Sequence, residues 1–162
     1  MLIDALASAP TDVARMLRPL TADEATISID NSWSIAQVVC HMAQIEPLTL
    51  ARFERIVSQD NPREPFIHPD HAAWLPTVSA NEWLLRFTEA RAKAVNFLST
   101  LTHQQWLRQC AHETLGVAKL HQMVRLLIAH DSEHLAQIVT LRMEIANGWR
   151  PTASDKLQPV EP

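Results

Sequence analysis

Apolar residues recur at three- and four-residue spacing along most of this chain, the period of an amphipathic helix. Leu2, Leu6, Val13, Met16 and Leu17 form one stripe and predict a helix over about 2–17, with Pro10 placed to split or bend it. Val38, Met42, Ile45, Phe53 and Ile56 predict a second over 35 to about 57. Pro47 lies inside it and removes the amide that would bond the Ala43 carbonyl, so a kink is expected there. A third helix is predicted from Ala80 to about Leu101, and a short helical turn from His103 to Arg108. The last carries Met123, Leu127, His130, His134, Ile138, Leu141 and Ile145 on one face. It is predicted from about Val117 to Ala146, stopped by Asn147-Gly148 and Pro151. Three starts carry the S/T-x-x-E/Q pattern of a capping box: Ser34 to Gln37, Ser79 to Glu82 and Thr102 to Gln105. Each is flanked by an apolar pair that can staple the helix entry: Trp33 with Val38, Val78 with Trp83, and Leu101 with Trp106. Residues 59–78 hold Pro62, Pro65, Pro69 and Pro76 and predict a long loop suited to a rim or lid.

Four long amphipathic helices predict an all-α fold, a four-helix bundle with a Pro-rich loop between its second and third helices. Its 162 residues suit one domain, placed at 1–150 with a polar tail over 151–162. Composition narrows the function. Two glycines in the whole chain cannot build a phosphate loop or a dinucleotide fingerprint, and an all-β fold is equally disfavoured. A net charge of -4 without a basic stripe argues against a nucleic-acid partner. Cys40 and Cys110 offer no disulfide framework, and no leader or membrane span is visible, so a cytoplasmic protein is expected.

Eight histidines stand out. His130 and His134 are four apart, about 40° apart around a helix and about 6 Å along it, so both project from one face. That face is the apolar stripe, where bare imidazoles are costly unless partnered. A divalent cation is one solution; hydrogen bonding within the core is the other. His41 lies along the edge of the second helix's inward stripe, where a neighbouring helix can bring it to the pair. Three neutral imidazoles suit Zn, Ni or Fe, and three protein ligands leave a position open for water or substrate.

Trp33-Ser34-Ile35, with His41 six residues on, resembles the second-helix signature of the DinB/YfiT-like metalloenzymes. His130-Asp131-Ser132-Glu133-His134-Leu135-Ala136-Gln137-Ile138 resembles the fourth-helix signature, and His112 and Gly116 stand where the family often has a His or polar residue and a Gly. The resemblance covers the chain to about residue 146. It implies a four-helix bundle, often a homodimer, whose metal is held by His41, His130 and His134. It also implies an enzyme acting on a small molecule, by thiol-dependent S-transfer or metal-dependent hydrolysis, with a low-molecular-weight thiol as a possible cosubstrate. The alternative is a non-catalytic interaction protein with a structural metal.

Asp131 and Glu133 are the candidate catalytic residues, as general base or as hydrogen-bond supports to the ligands; against this, a charge on a helix face is ordinarily solvated. Asp131 replaces the Glu of a zincin H-E-x-x-H, which argues against a protease. A di-iron bundle needs two Glu-x-x-His motifs, and this chain has neither. His68 and His71, in the Pro-rich loop, suit a pocket rim better than a second metal site. His121 lies about 180° around the helix from His130 and should face away from it. His103 is expected at the surface, and His112 near the end of the connection before the last helix. Cys40 is rotated about 100° from His41 and reads as a small buried hydrophobe.

Overall fold

The computed structural model describes residues 1–30, 32–67 and 75–148. Its elements in chain order are α1 (Leu2–Leu17), α2 (Ala22–Ala25), α3 (Ile35–Ser58), β1 (Arg63–Glu64), α4 (Ala80–Ser99), α5 (His103–Trp106), β2 (Gln109–His112), β3 (Gly116–Lys119) and α6 (Leu120–Ala146). The four long helices α1, α3, α4 and α6 form the bundle, α4 packing on α1 and α3, and α6 likewise. Chemistry at the helix starts explains their boundaries. Ser34, Ser79 and Thr102 each accept a hydrogen bond from the amide three residues on, opening α3, α4 and α5 at the predicted positions. Thr21 likewise accepts from the Glu24 amide and opens α2. Both prolines sit inside continuous helices, Pro10 in α1 and Pro47 in α3. The His68/His71 portion of the Pro-rich loop lies outside the described residues.

The connection before the last helix differs from expectation. α6 begins at Leu120 rather than Val117, because Gly116–Lys119 pairs antiparallel with Gln109–His112. β1 adds to the other edge in parallel, Glu64 opposite His112, giving a three-stranded sheet in the order β1-β2-β3. A three-residue loop joins β2 to β3, and Gly116 after it has φ +68, a left-handed conformation that glycine takes without steric cost. The His112 ring closes this turn: its Nδ1 accepts from the Thr114 and Leu115 amides at 3.3 and 3.4 Å.

The core is divided in two. One apolar cluster includes Val13, Leu17, Val38, Met42, Phe87, Ile138 and Leu141; the other includes Leu6, Ile45, Phe53, Ile56, Leu98, Leu120, Met123 and Leu127. Between them Arg91, 1% exposed, crosses the bundle. All five of its N–H groups are used. Nε and Nη2 donate to the Glu46 carboxylate at 2.8 and 2.6 Å, Nη1 and Nη2 to Asp131 at 2.7 and 3.0 Å, and Nη1 to the Leu6 carbonyl at 2.9 Å. The Leu6 carbonyl is available because its helical partner would be residue 10, a proline without an amide hydrogen. One guanidinium thus ties together α1, α3, α4 and α6.

Candidate metal centre and its cavity

The α3 helix brings His41, and α6 brings His130 and His134, to a single point. His41 Nε2 lies 2.9 Å from His130 Nε2, and His134 Nε2 lies 3.1 Å from the same atom. One ligand atom from each ring falls within 4.8 Å of the others. Nitrogens sharing a tetrahedral Zn²⁺ at ordinary bond lengths stand about 3.3 Å apart, close to this spacing. The tautomers point the same way. His134 Nδ1 lies 2.9 Å from Gln137 Oε1, an acceptor, so the ring proton sits on Nδ1 and Nε2 presents its lone pair. His130 Nε2 faces two imidazole nitrogens and can donate to only one; a cation between the rings satisfies all three. Burial first, then His134 and the Arg91 charge, lower the His130 pKa to about 4, so its imidazole is neutral at pH 7.

Trp33, the residue of the α3 entry staple, walls the cluster. Its ring lies 5.0 Å from His41 and nearly parallel to His134 at 6.4 Å. On the other side the cluster opens into a cavity of about 280 Å³. The cavity runs between α3 and α6 toward the sheet. Ile45, Met123 and Leu127 line its middle, and Arg52, Phe66 and His112 line the end away from the histidines.

Residues 5–138 match the family model of the DinB superfamily. The chain belongs to the DinB superfamily. It is 28% identical over 127 residues to the Bacillus subtilis (strain 168) protein named "Putative metal-dependent hydrolase YfiT", covering 74% of this chain and 68% of that one. It also superposes on the solved structure of YfiT from Bacillus subtilis, described as a probable metal-dependent hydrolase with an unusual four-helix bundle topology. That match has a TM-score of 0.75 at 26% identity, covering 92% of this chain and 87% of the other.

Within this DinB bundle the two acidic candidates separate. Glu133 is exposed and lines the cavity beside the histidines. Asp131 is not a solvated helix-face charge: it is 4% exposed, outside the cavity lining, and bound to Arg91 in the core. Burial pushes the Asp131 and Glu46 carboxyls up, and the Arg91 guanidinium pulls both back. Cys40 is buried and accepts a hydrogen bond from Gln44, and burial pushes its thiol up to about 11, which suits a core residue and not a nucleophile. His103 is exposed, and neither it nor His121 lines the cavity.

Two groups escaped the sequence reading. Glu46 and Arg91 occupy apolar-stripe positions, Glu46 four residues after Met42 and Arg91 four after Phe87. Charged residues of opposite sign on inward stripes were the available signal. Arg52 is the other; His112 was named from the sequence, but that it shares a cavity with Arg52 depends on the sheet.

Proposed function

We propose that the protein is a metal-dependent enzyme acting on a small molecule, most simply a hydrolase, with His41, His130 and His134 holding a divalent cation. The observation that carries this reading is the convergence of three Nε2 atoms on the wall of a cavity. When bound, the metal supplies Lewis-acid chemistry and lowers the pKa of a water or thiol beside it. Zn, Ni and Fe all suit three imidazoles.

The chain's own residues do the rest. Gln137 holds the His134 proton on Nδ1 and so aims Nε2 inward. Arg91 holds Asp131, the residue next to His130, and so fixes the α6 backbone at the ligands. Trp33 shields the cluster from one side, and the apolar cavity walls exclude water from a substrate seated against it. Glu133, at the cavity edge, is placed to take a proton from the reacting water.

Among the described residues the cluster holds three donors and no fourth side chain, which favours an open catalytic position over a structural site. Elemental analysis of protein purified without a His tag should find about one divalent ion per chain. His134→Ala should lose most of that metal and any hydrolytic activity while keeping the wild-type far-UV CD spectrum. Full metal occupancy in a His41→Ala, His130→Ala, His134→Ala triple variant would refute the site. The same protein, screened with low-molecular-weight thiols as cosubstrates, decides between hydrolysis and S-transfer. Sedimentation equilibrium tests the homodimer that the family resemblance implies.

A further inference from the structure

The end of the cavity away from the histidines contains buried hydrogen-bond donors that the metal reading does not use. His112 is 3% exposed. Its Nδ1 is occupied as an acceptor by the β2–β3 turn, so its proton sits on Nε2. Among the described residues Nε2 is buried without a hydrogen-bond partner. Burial and the neighbouring Arg52 charge both lower the His112 pKa, which keeps the ring neutral and Nε2 a donor.

Arg52 is 6% exposed and lines the same cavity. Its Nη2 donates to the Pro65 carbonyl. Its Nε makes an ion pair with Glu64 at 3.5 Å, and among the described residues neither Nε nor Nη1 makes a hydrogen bond. Glu64 does not neutralise it alone, because Arg55 takes both Glu64 oxygens at 2.9 and 2.6 Å. The nearby Glu113 carboxylate accepts from the Phe66 amide at 2.8 Å. Arg52 and His112, both at least nine-tenths buried, therefore line one cavity, and among the described residues the Arg52 Nη1 and the His112 Nε2 donors have no acceptor.

We propose that Arg52 and His112 form a carboxylate-binding subsite, so that the substrate is an elongated molecule with an anionic oxygen terminus, an apolar middle and its reacting group at the histidines. Resting on the metal reading is only the last clause; the subsite stands on its own geometry. Arg52 is eleven residues beyond His41 on α3, about 16 Å along the axis. A metal–oxygen bond of about 2 Å at one end and a hydrogen bond of about 3 Å at the other leave about 11 Å, the span of a chain of some eight carbons with its terminal oxygens. Ile45, Met123 and Leu127 supply the matching apolar wall. In the metal-free protein Glu133, at the opposite end, disfavours an anion there, so the carboxylate seats at Arg52 and His112.

The test uses metal-free protein, octanoate and octan-1-ol, with affinities read by isothermal titration calorimetry. Wild type should bind octanoate at least about tenfold more tightly than octan-1-ol, as a charge-assisted pair implies. His112→Asn retains an acceptor for the turn amides and removes the Nε2 donor; Arg52→Gln removes the charge. Each, checked for a wild-type CD spectrum, should lose most of the octanoate preference. Equal binding of the two probes by wild type, or an unchanged preference in either folded variant, overturns the subsite. If Arg52→Gln fails to fold, His112→Asn decides the matter alone. Zn-loaded protein is then titrated with suberic acid monohydroxamate and octanohydroxamate. A carboxylate advantage that His112→Asn abolishes supports the orientation, and equal affinities overturn it. Octanoate binding by the metal-free protein with no Zn uptake would remove the metal reading and leave the subsite intact.

Discussion

Replacing Arg91 by Met removes the cation that bridges Glu46 and Asp131 and keeps most of the side-chain volume. Glu46 and Asp131, 1% and 4% exposed, are then left facing each other, and the Leu6 carbonyl loses its donor. Breaking a buried ion pair by removing one partner costs about 3–5 kcal/mol, and an orphaned buried acceptor adds about 1–3 kcal/mol. Proton uptake by one of the carboxyls limits the sum, so a loss of about 4–6 kcal/mol is expected. That is a large part of the about 5–15 kcal/mol that holds a domain together, and it corresponds to a fall in Tm of about 10–20 °C for a chain of this size. The pH dependence has a definite sign. Without Arg91 the folded-state pKa of the buried carboxyls rises further above the unfolded value, so the folded state binds the extra proton and stability falls as pH rises through that window. The deficit relative to wild type should therefore be smaller at pH 5.5 than at pH 8. Thermal unfolding of metal-free protein by CD, at both pH values, measures it. A Glu46→Leu, Arg91→Met, Asp131→Leu triple variant should recover most of the loss, because an apolar replacement leaves no unpaired charge. A wild-type Tm for Arg91→Met at pH 8, or a deficit that grows on acidification, would refute the clamp.

Three further outcomes are expected. Gln137→Leu should weaken metal binding about 10–100-fold, read by competition with a chromophoric chelator, because the His134 tautomer is no longer held. Metal-free protein should lose stability as pH falls from about 6.5 toward 4, since the unfolded state protonates His130 over a window in which the folded state does not; urea unfolding at pH 7.5 and 5 checks this, and His130→Gln should flatten the slope. Ser34→Ala should cost about 1 kcal/mol and lower Tm by about 2–4 °C, since the Ser34 hydroxyl caps the Gln37 amide at the start of α3.

Much of the bundle was legible locally. The capping residues Ser34, Ser79 and Thr102 act within three residues of themselves, so their helices begin where the pattern placed them. The β2–β3 hairpin was not legible. Its strands are four residues each, and apolar Val117 and Ala118 continue the helical stripe of α6, so the pattern ran three residues into the sheet. Asp131 was misread for a related reason. A lone acid on a helix is solvated unless a cation reaches it, and that cation, Arg91, is 40 residues away on another helix.

By itself the sequence determined the four helices and the shared direction of His130 and His134, because helix period, caps and an i, i+4 pair are set by the nearest few residues. Only the tertiary structure decided the rest: that His41 meets that pair 89 residues on, that Arg91 joins four helices through a carbonyl freed by Pro10, and that His112 and Arg52 share one cavity. Each is a contact between elements far apart in the chain, and it exists only once apolar burial has fixed how the helices and the small sheet pack.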